Sequence, residues 1–243
     1  MAALPLVLLT LFAAVFVQSV SGFGSALVAM SLLPALIGLH VATPLVALVG
    51  GTIEVVLLFR YRQAFNLRAV WQVAAGSLIG IPLGIAFLTR LNEQVMMTAL
   101  GLVIAGYALY ALLTEFSAQV NLPRLAHPAW AYAAGFLAGM LGGAYNTAGP
   151  PVILFGNSRR WKPAEFKSNL QGFFLIASAA TIFGHAWSGN LTPEVWHLYL
   201  WSLPVMGAGL WAGATLDGYL RPQVFRRVVL VLLLLMGGWL VFG

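Results

Sequence analysis

The run Gly142-Gly143-Ala144-Tyr145-Asn146-Thr147-Ala148-Gly149-Pro150-Pro151 constrains this chain more than any other stretch. It breaks helices and carries polar side chains, yet apolar segments flank it on both sides. In hydrocarbon an unpaired N–H or C=O costs several kcal/mol, so irregular backbone survives at depth only inside protein or along a watery cavity. A weaker copy, Ser21-Gly22-Phe23-Gly24-Ser25, lies 120 residues upstream. Interrupted helices at matching places in two halves point to a binding site between them.

The lipid setting follows from composition. Hydrophobic residues make up 61% of the 243 residues and charged residues 7%, where a soluble domain carries roughly 25% charged. No soluble fold of this length hides so much apolar surface. Long uncharged runs, rather than alternation, exclude a β-barrel. The chain therefore reads as an all-α integral membrane protein, with apolar segments at 4–20, 23–39, 43–59, 68–89, 93–114, 129–143, 147–157, 166–187, 195–217 and 222–242. Spanning takes about 20 residues, so 129–143 and 147–157 are short: a re-entrant pair or two tilted spans. Leu4 to Val20 lacks the basic leader and small-residue cleavage site of a secretory signal and is expected to be a retained helix.

The net charge of +6 does not mark a nucleic-acid binder, because the basic residues sit in short clusters between apolar runs. Arg60, Arg62 and Arg68 form one cluster; Arg159, Arg160, Lys162 and Lys167 a second; Arg221, Arg226 and Arg227 a third. The loop at 186–194 has no basic residue, the linker 115–128 only Arg124. The positive-inside rule places the three clusters in the cytoplasm. If 129–157 crossed once, Arg60, Arg62 and Arg68 would lie outside, so this stretch is expected to leave and return to one face. Residues 4–39 do the same from the other face, which makes both termini periplasmic.

Two halves are expected: a first repeat at 1–114, a cytoplasmic linker at 115–128 and a second repeat at 129–243. Each holds five segments, an odd number, so the second copy is inverted. Gly80 and Gly84 align with Gly209 and Gly213, and Leu91-Asn92-Glu93-Gln94-Val95 with Leu220-Arg221-Pro222-Gln223-Val224. The charges invert as well: basic loop 60–68 matches neutral loop 186–194, and neutral link 40–43 matches basic loop 157–167. The paired glycines permit close helix contact.

A half-helix that starts inside the membrane presents free N–H groups and a positive dipole end, which suits an anion. Gly22, Gly24 and Ser25 at the first break, and Asn146, Thr147, Gly149 and Pro150 at the second, are the candidate substrate-binding residues. Pro150 and Pro151 lack N–H groups and leave little unsatisfied near a helix start. Asn169 and Gln171 open the segment after the basic loop and face either the cavity or another helix; Gln18 stands in the same position before the first break. Glu54, inside Thr52-Ile53-Glu54-Val55-Val56, is the candidate for proton coupling, since an ionisable residue in an apolar run marks function by default. It lies six residues from Arg60, about 9 Å at helical rise, so an interfacial or structural place is equally open. His185 reads as a capping or interface residue and Asp217 as a partner for Arg221.

No cysteine is present and the four histidines form no i,i+3 or i,i+4 pair, so neither a metal site nor any other cofactor is expected. No Gly-x-x-x-x-Gly-Lys loop binds a nucleotide. Ser25 and His185 lack the setting of a serine hydrolase, which leaves no catalytic residues and no enzyme.

Ser21 to Leu27, Gly142 to Pro151, and Trp161-Lys162-Pro163-Ala164-Glu165-Phe166-Lys167-Ser168-Asn169-Leu170-Gln171-Gly172-Phe173-Phe174-Leu175 resemble the sulfite exporter TauE/SafE family, also called the toluenesulfonate uptake permease family. The resemblance spans nearly the whole chain, with both family repeats. It departs at Ser25-Ala26, where members often carry a glycine run. It implies a bacterial inner-membrane secondary transporter, an exporter of sulfite or organosulfonates, with proton coupling. Its partners are then a small anion, the bilayer and protons, with no nucleic acid; the oligomeric state stays open, a homodimer included. A carrier or channel for another small anion is the alternative.

Overall fold

The computed structural model describes residues 4–61, 65–116, 127–216 and 222–242. Ten helices make up the described chain, with no strand among the described residues: α1 Leu4–Ser21, α2 Ser25–Ile37, α3 Leu39–Tyr61, α4 Leu67–Arg90, α5 Glu93–Phe116, α6 Pro128–Tyr145, α7 Gly149–Ser158, α8 Pro163–Trp187, α9 Pro193–Leu216 and α10 Pro222–Phe242. Four of them, α6, α8, α9 and α10, begin on a proline, whose fixed φ and missing N–H suit a first turn. Asn66 caps α4 by accepting a hydrogen bond from Ala69 N at 3.3 Å.

Six helices are long and apolar enough to cross a bilayer: α1, α3, α4, α5, α8 and α10. Their outer faces are greasy, with Phe183 68% and Leu235 65% exposed, an arrangement that water would not tolerate but lipid does. The protein is a multi-pass membrane protein. Residues 117–126 of the expected linker, with Arg124, and Arg62, Asp217 and Arg221 lie outside the described residues.

The segmentation differs from the sequence expectation at two places. The neutral link expected at 40–43 is instead the first turn of α3. The chain reverses at Gly38 alone, whose φ of 75° is open to glycine, and Leu39 N starts the new helix by donating to the Glu93 carboxylate at 3.0 Å. The apolar segment 129–143 becomes the 18-residue α6, about 27 Å long at 1.5 Å per residue. The 10-residue α7 and the 13-residue α2 stay well short, at about 15 and 20 Å.

Glycines set how the helices pack. Gly76, Gly80 and Gly84 of α4 lie against Gly135, Gly139 and Gly143 of α6. A Cβ at Gly80 would stand 2.2 Å from Phe136 O, and one at Gly139 2.2 Å from Ser77 O. Contacts advance together along both chains, from Gly76 against Tyr132 to Gly84 against Met140, so α4 and α6 run parallel. The same holds for α1 and α9, where Gly209 meets Val15 and Gly213 meets Ser19. The α5–α10 pair is antiparallel, with Gly101 beside Gly237 and Leu240. α3 and α8 cross in the middle, Gly51 beside Ser178 and Ile182.

Gly139→Ala should lower the thermal unfolding midpoint in detergent micelles by the equivalent of about 1–3 kcal/mol, because one methyl must push two backbones apart. Gly106→Ala, where a Cβ meets nothing within 4 Å, should be neutral or stabilise by about 0.5–1 kcal/mol through helix propensity. Equal midpoints for the two variants would contradict the interlock.

Candidate functional site

Both helix interruptions open onto one buried cavity. At the first, Gly22 and Gly24 take φ of 82° and 102°, values that bar most other residues. Gly22 N still closes the last turn of α1 on Gln18 O at 2.7 Å. Gln18 then spans the gap: its Oε1 accepts from Ser25 N at 3.3 Å and from the Ser25 hydroxyl. The next amides, Ala26 and Leu27, stand in the first turn of α2, where no helical carbonyl lies one turn back.

At the second interruption Asn146 is left-handed, φ 53° and ψ 22°, and caps α6 by donating N–H to Gly142 O at 2.7 Å. α3 clamps this turn from the side. Asn146 Nδ2 donates to Val46 O at 3.1 Å, and Thr43 Oγ1 to Ala144 O at 3.2 Å. These bonds settle backbone groups that lipid would leave unpaired.

The cavity between the breaks measures about 40 Å³, room for roughly three waters at 10–15 Å³ each. Its polar lining comes from four places: Gln18 and Ser25 from α1 and α2, Glu54 from α3, Asn146 and Thr147 from the second break, Ser178 and Thr181 from α8. Phe23 and Phe174 supply apolar walls. Glu54 is only 6% exposed; its carboxyl bonds Ser178 through one oxygen and leaves Oε2 buried without a partner. Gln18 Nε2 and Thr147 Oγ1 are buried without partners too. A buried donor left unmade costs about 1–3 kcal/mol, and Gln18 Nε2 and Thr147 Oγ1 are two such donors on one cavity.

Of the residues expected from sequence, Gly24, Ser25, Asn146, Thr147, Gly149 and Glu54 line this cavity. Gly22, Pro150, Asn169 and Gln171 do not. Gln171 Nε2 donates to Gly22 O, and Asn169 Oδ1 accepts from Asn66 N at 2.9 Å; both bind the frame around the site. His185 pairs with Asn190 through Nδ1 at 3.0 Å near the end of α8, away from the cavity. Sequence reading missed Gly50, Ser178 and Thr181. The signal was present in Phe174, Ala177, Ser178 and Thr181, which fall at i, i+3, i+4 and i+7 and so share one helix face. Gly50 makes the room: a Cβ there would stand 3.3 Å from Asn146 Nδ2 and 3.7 Å from Glu54 Oε1.

A family model described as sulfite exporter TauE/SafE matches residues 6–240. A relative from Cupriavidus necator bearing the name "Probable sulfite/organosulfonate exporter TauE" is 27% identical over 227 residues, 93% of this chain and 88% of its own. A second, from Comamonas testosteroni, bears the name "Probable inner membrane transporter protein TsaS" and is 26% identical over 174 residues, 70% of each chain. No solved structure matches.

The Asn146 turn is separable from its side-chain clamp. Asn146→Gly keeps the left-handed backbone and loses only the bond to Val46; Asn146→Ala also pays left-handed strain of about 1–2 kcal/mol. Asn146→Ala should therefore melt below Asn146→Gly when followed by tryptophan fluorescence, and coincident melting curves would refute a conformational role for this asparagine.

Proposed function

Since this chain belongs to the sulfite exporter TauE/SafE family and is thus a membrane transporter and not an enzyme, we propose that it exports small sulfur oxyanions such as sulfite, or short organosulfonates. The anion binds in the cavity between the two helix breaks, and access alternates between the faces. One observation carries the reading: interruptions more than 100 residues apart in sequence converge on a single buried polar cavity, with Gln18 Nε2 and Thr147 Oγ1 unpartnered there. Its size favours a compact anion over an aromatic sulfonate, and its enclosure favours a carrier over an open pore.

The halves 1–114 and 129–243 act as inverted repeats joined by the linker 115–128. Exchange of α1–α5 with α6–α10 turns the parallel α4–α6 pair into the parallel α9–α1 pair, and both are packed on glycines. The same exchange maps α5–α10 and α3–α8 onto themselves. The first break then lies toward one face and the second toward the other, which is the arrangement alternating access needs. Arg68, Arg159, Arg160, Lys162 and Lys167 gather at one end of the bundle. That end lies in the cytoplasm by the positive-inside rule, the termini in the periplasm, and the whole in a bacterial inner membrane, as the name of the Comamonas relative says of that protein.

Glu54 couples the anion to a proton. An ionised carboxylate about 4 Å from a bound anion costs about 4 kcal/mol at an effective dielectric of 20. A protonated carboxyl removes that repulsion and donates a hydrogen bond to the anion instead. Anion and proton therefore occupy the cavity together and move in the same direction. An inside-negative potential adds to outward flux of the net negative charge.

Two outcomes are expected in proteoliposomes loaded with sulfite. Thr147→Val and Asn146→Gly should each cut kcat/KM by about 10-fold or more, the loss of one hydrogen bond to a charged ligand, with normal insertion; unchanged kinetics in both would refute the site. Glu54→Gln should transport sulfite at a rate that no longer responds to an imposed pH gradient, whereas the native protein should be driven by acid on the loaded side. A surviving response in Glu54→Gln would make that residue structural.

A further inference from the structure

A second chamber lies beyond the first break, toward the basic end. It measures about 20 Å³ and is lined by Val17, Phe23, Tyr107, Arg226, Val229 and Leu233, among others. Phe23, Gly24 and Leu27 line both this chamber and the central cavity, so the Phe23–Gly24 segment is the wall between them. Gly22 and Gly24 around it take backbone angles that a helix cannot.

Three of the lining side chains are polar, Ser21, Tyr107 and Arg226, and the Ser21 hydroxyl is already spent on the carbonyls of Val17 and Phe23 at 2.6 Å each. Tyr107 is 6% exposed, and its hydroxyl is buried without a hydrogen-bond partner. Arg226, four residues into α10, buries its Nε there, also without a partner. A phenol O–H and a guanidinium N–H beside one enclosed space are two donors and a positive charge with no acceptor among the described residues. Arginine presents its donors as a planar fork matched to oxyanions. At the second break the Tyr145 hydroxyl donates to Met96 Sδ at 3.5 Å, and among the described residues no cation lines the cavity there.

We propose that Tyr107 and Arg226 form a second station for the same oxyanion, at the basic end, from which it passes Phe23 into the central cavity. This rests on the reading that the central cavity binds the anion, and it adds what that reading lacks: a polarity. Arg226 fixes a positive charge at one end of the path, so the anion is gathered at the basic end. The chamber as it stands holds one or two waters; it takes the whole anion when Phe23 swings toward the central cavity.

Isothermal titration of the detergent-purified protein with sulfite tests this, in an Asn146→Gly/Thr147→Val background that weakens the central site. Residual sulfite binding should persist there and weaken steeply with salt. Arg226→Gln should then weaken it by about 10-fold or more, Tyr107→Phe by about 3-fold, and Arg226→Lys by less than Arg226→Gln, as expected for loss of charged and neutral hydrogen bonds. Thermal unfolding midpoints identify variants that fail to fold, and Arg226→Lys keeps the charge should Arg226→Gln be one of them. No residual binding in the background, or residual binding that none of the three changes alters, overturns the second station. Full native affinity in the background overturns the central site instead.

Discussion

Backbone that leaves a helix inside hydrocarbon must find partners within the protein, and this one demand organises the molecule. Neither break can be closed by its own helix. At the first, Gln18 reaches forward to Ser25 and Gln171 reaches across to the Gly22 carbonyl. At the second, α3 meets the turn through Thr43 and the carbonyl of Val46. The partners come from α1, α3 and α8, so the breaks hold only while these three helices stand in register. Thr43 and Gln171 serve this frame alone, whereas Gln18, Ser25 and Asn146 serve it and line the cavity as well.

Register in turn depends on glycine. Lipid gives helices no hydrophobic reason to associate, so close packing must supply the attraction. The α4–α6 interlock brings carbonyls to where side chains would otherwise begin, and it carries α6, with Asn146 at its end, as a rigid extension of α4. α1 is carried on α9 in the same way through Gly209 and Gly213. Each break is thus mounted on a helix from the opposite half of the chain. Sliding one mounted pair past the other would move both breaks without unmaking the hydrogen bonds inside either turn.

Much of this was legible in the sequence. Length and hydropathy place nearly every helix within two or three residues, because about 20 apolar residues leave few alternatives. The breaks announce themselves through glycine and proline, and their meeting follows from their matching places. The Gly38 reversal was not legible, because His40 to Thr43 looks as much like a link as the single residue that turns the chain. Asn169 and Gln171 were expected as a pair; two residues apart they cannot face one way on a helix, and each goes to a separate part of the frame. Ser178 and Thr181 look like any hydroxyls in an apolar helix until α8 is set against Gly50 and Gly51. Gly135, Gly139 and Gly143 form as regular a stripe as those of α4, but they merge into the conspicuous run that follows and read as part of the break.

The two breaks do not offer an anion the same chemistry. α2 starts with free amides at Ala26 and Leu27, and its first amide is already held by Gln18. α7 starts Gly149-Pro150-Pro151, and proline has no N–H to give, so its first turn lacks two of the donors a helix start normally presents. The missing donors are replaced by side chains: the Asn146 amide, the Thr147 hydroxyl, and Ser178 across the cavity. Backbone donors accept any oxyanion that fits, whereas a hydroxyl can also accept a hydrogen bond and so can tell a protonated anion from a bare one. Under the proposed function the α2 side of the cavity supplies attraction and the α7 side discrimination, with Glu54 between them setting how many protons accompany the charge.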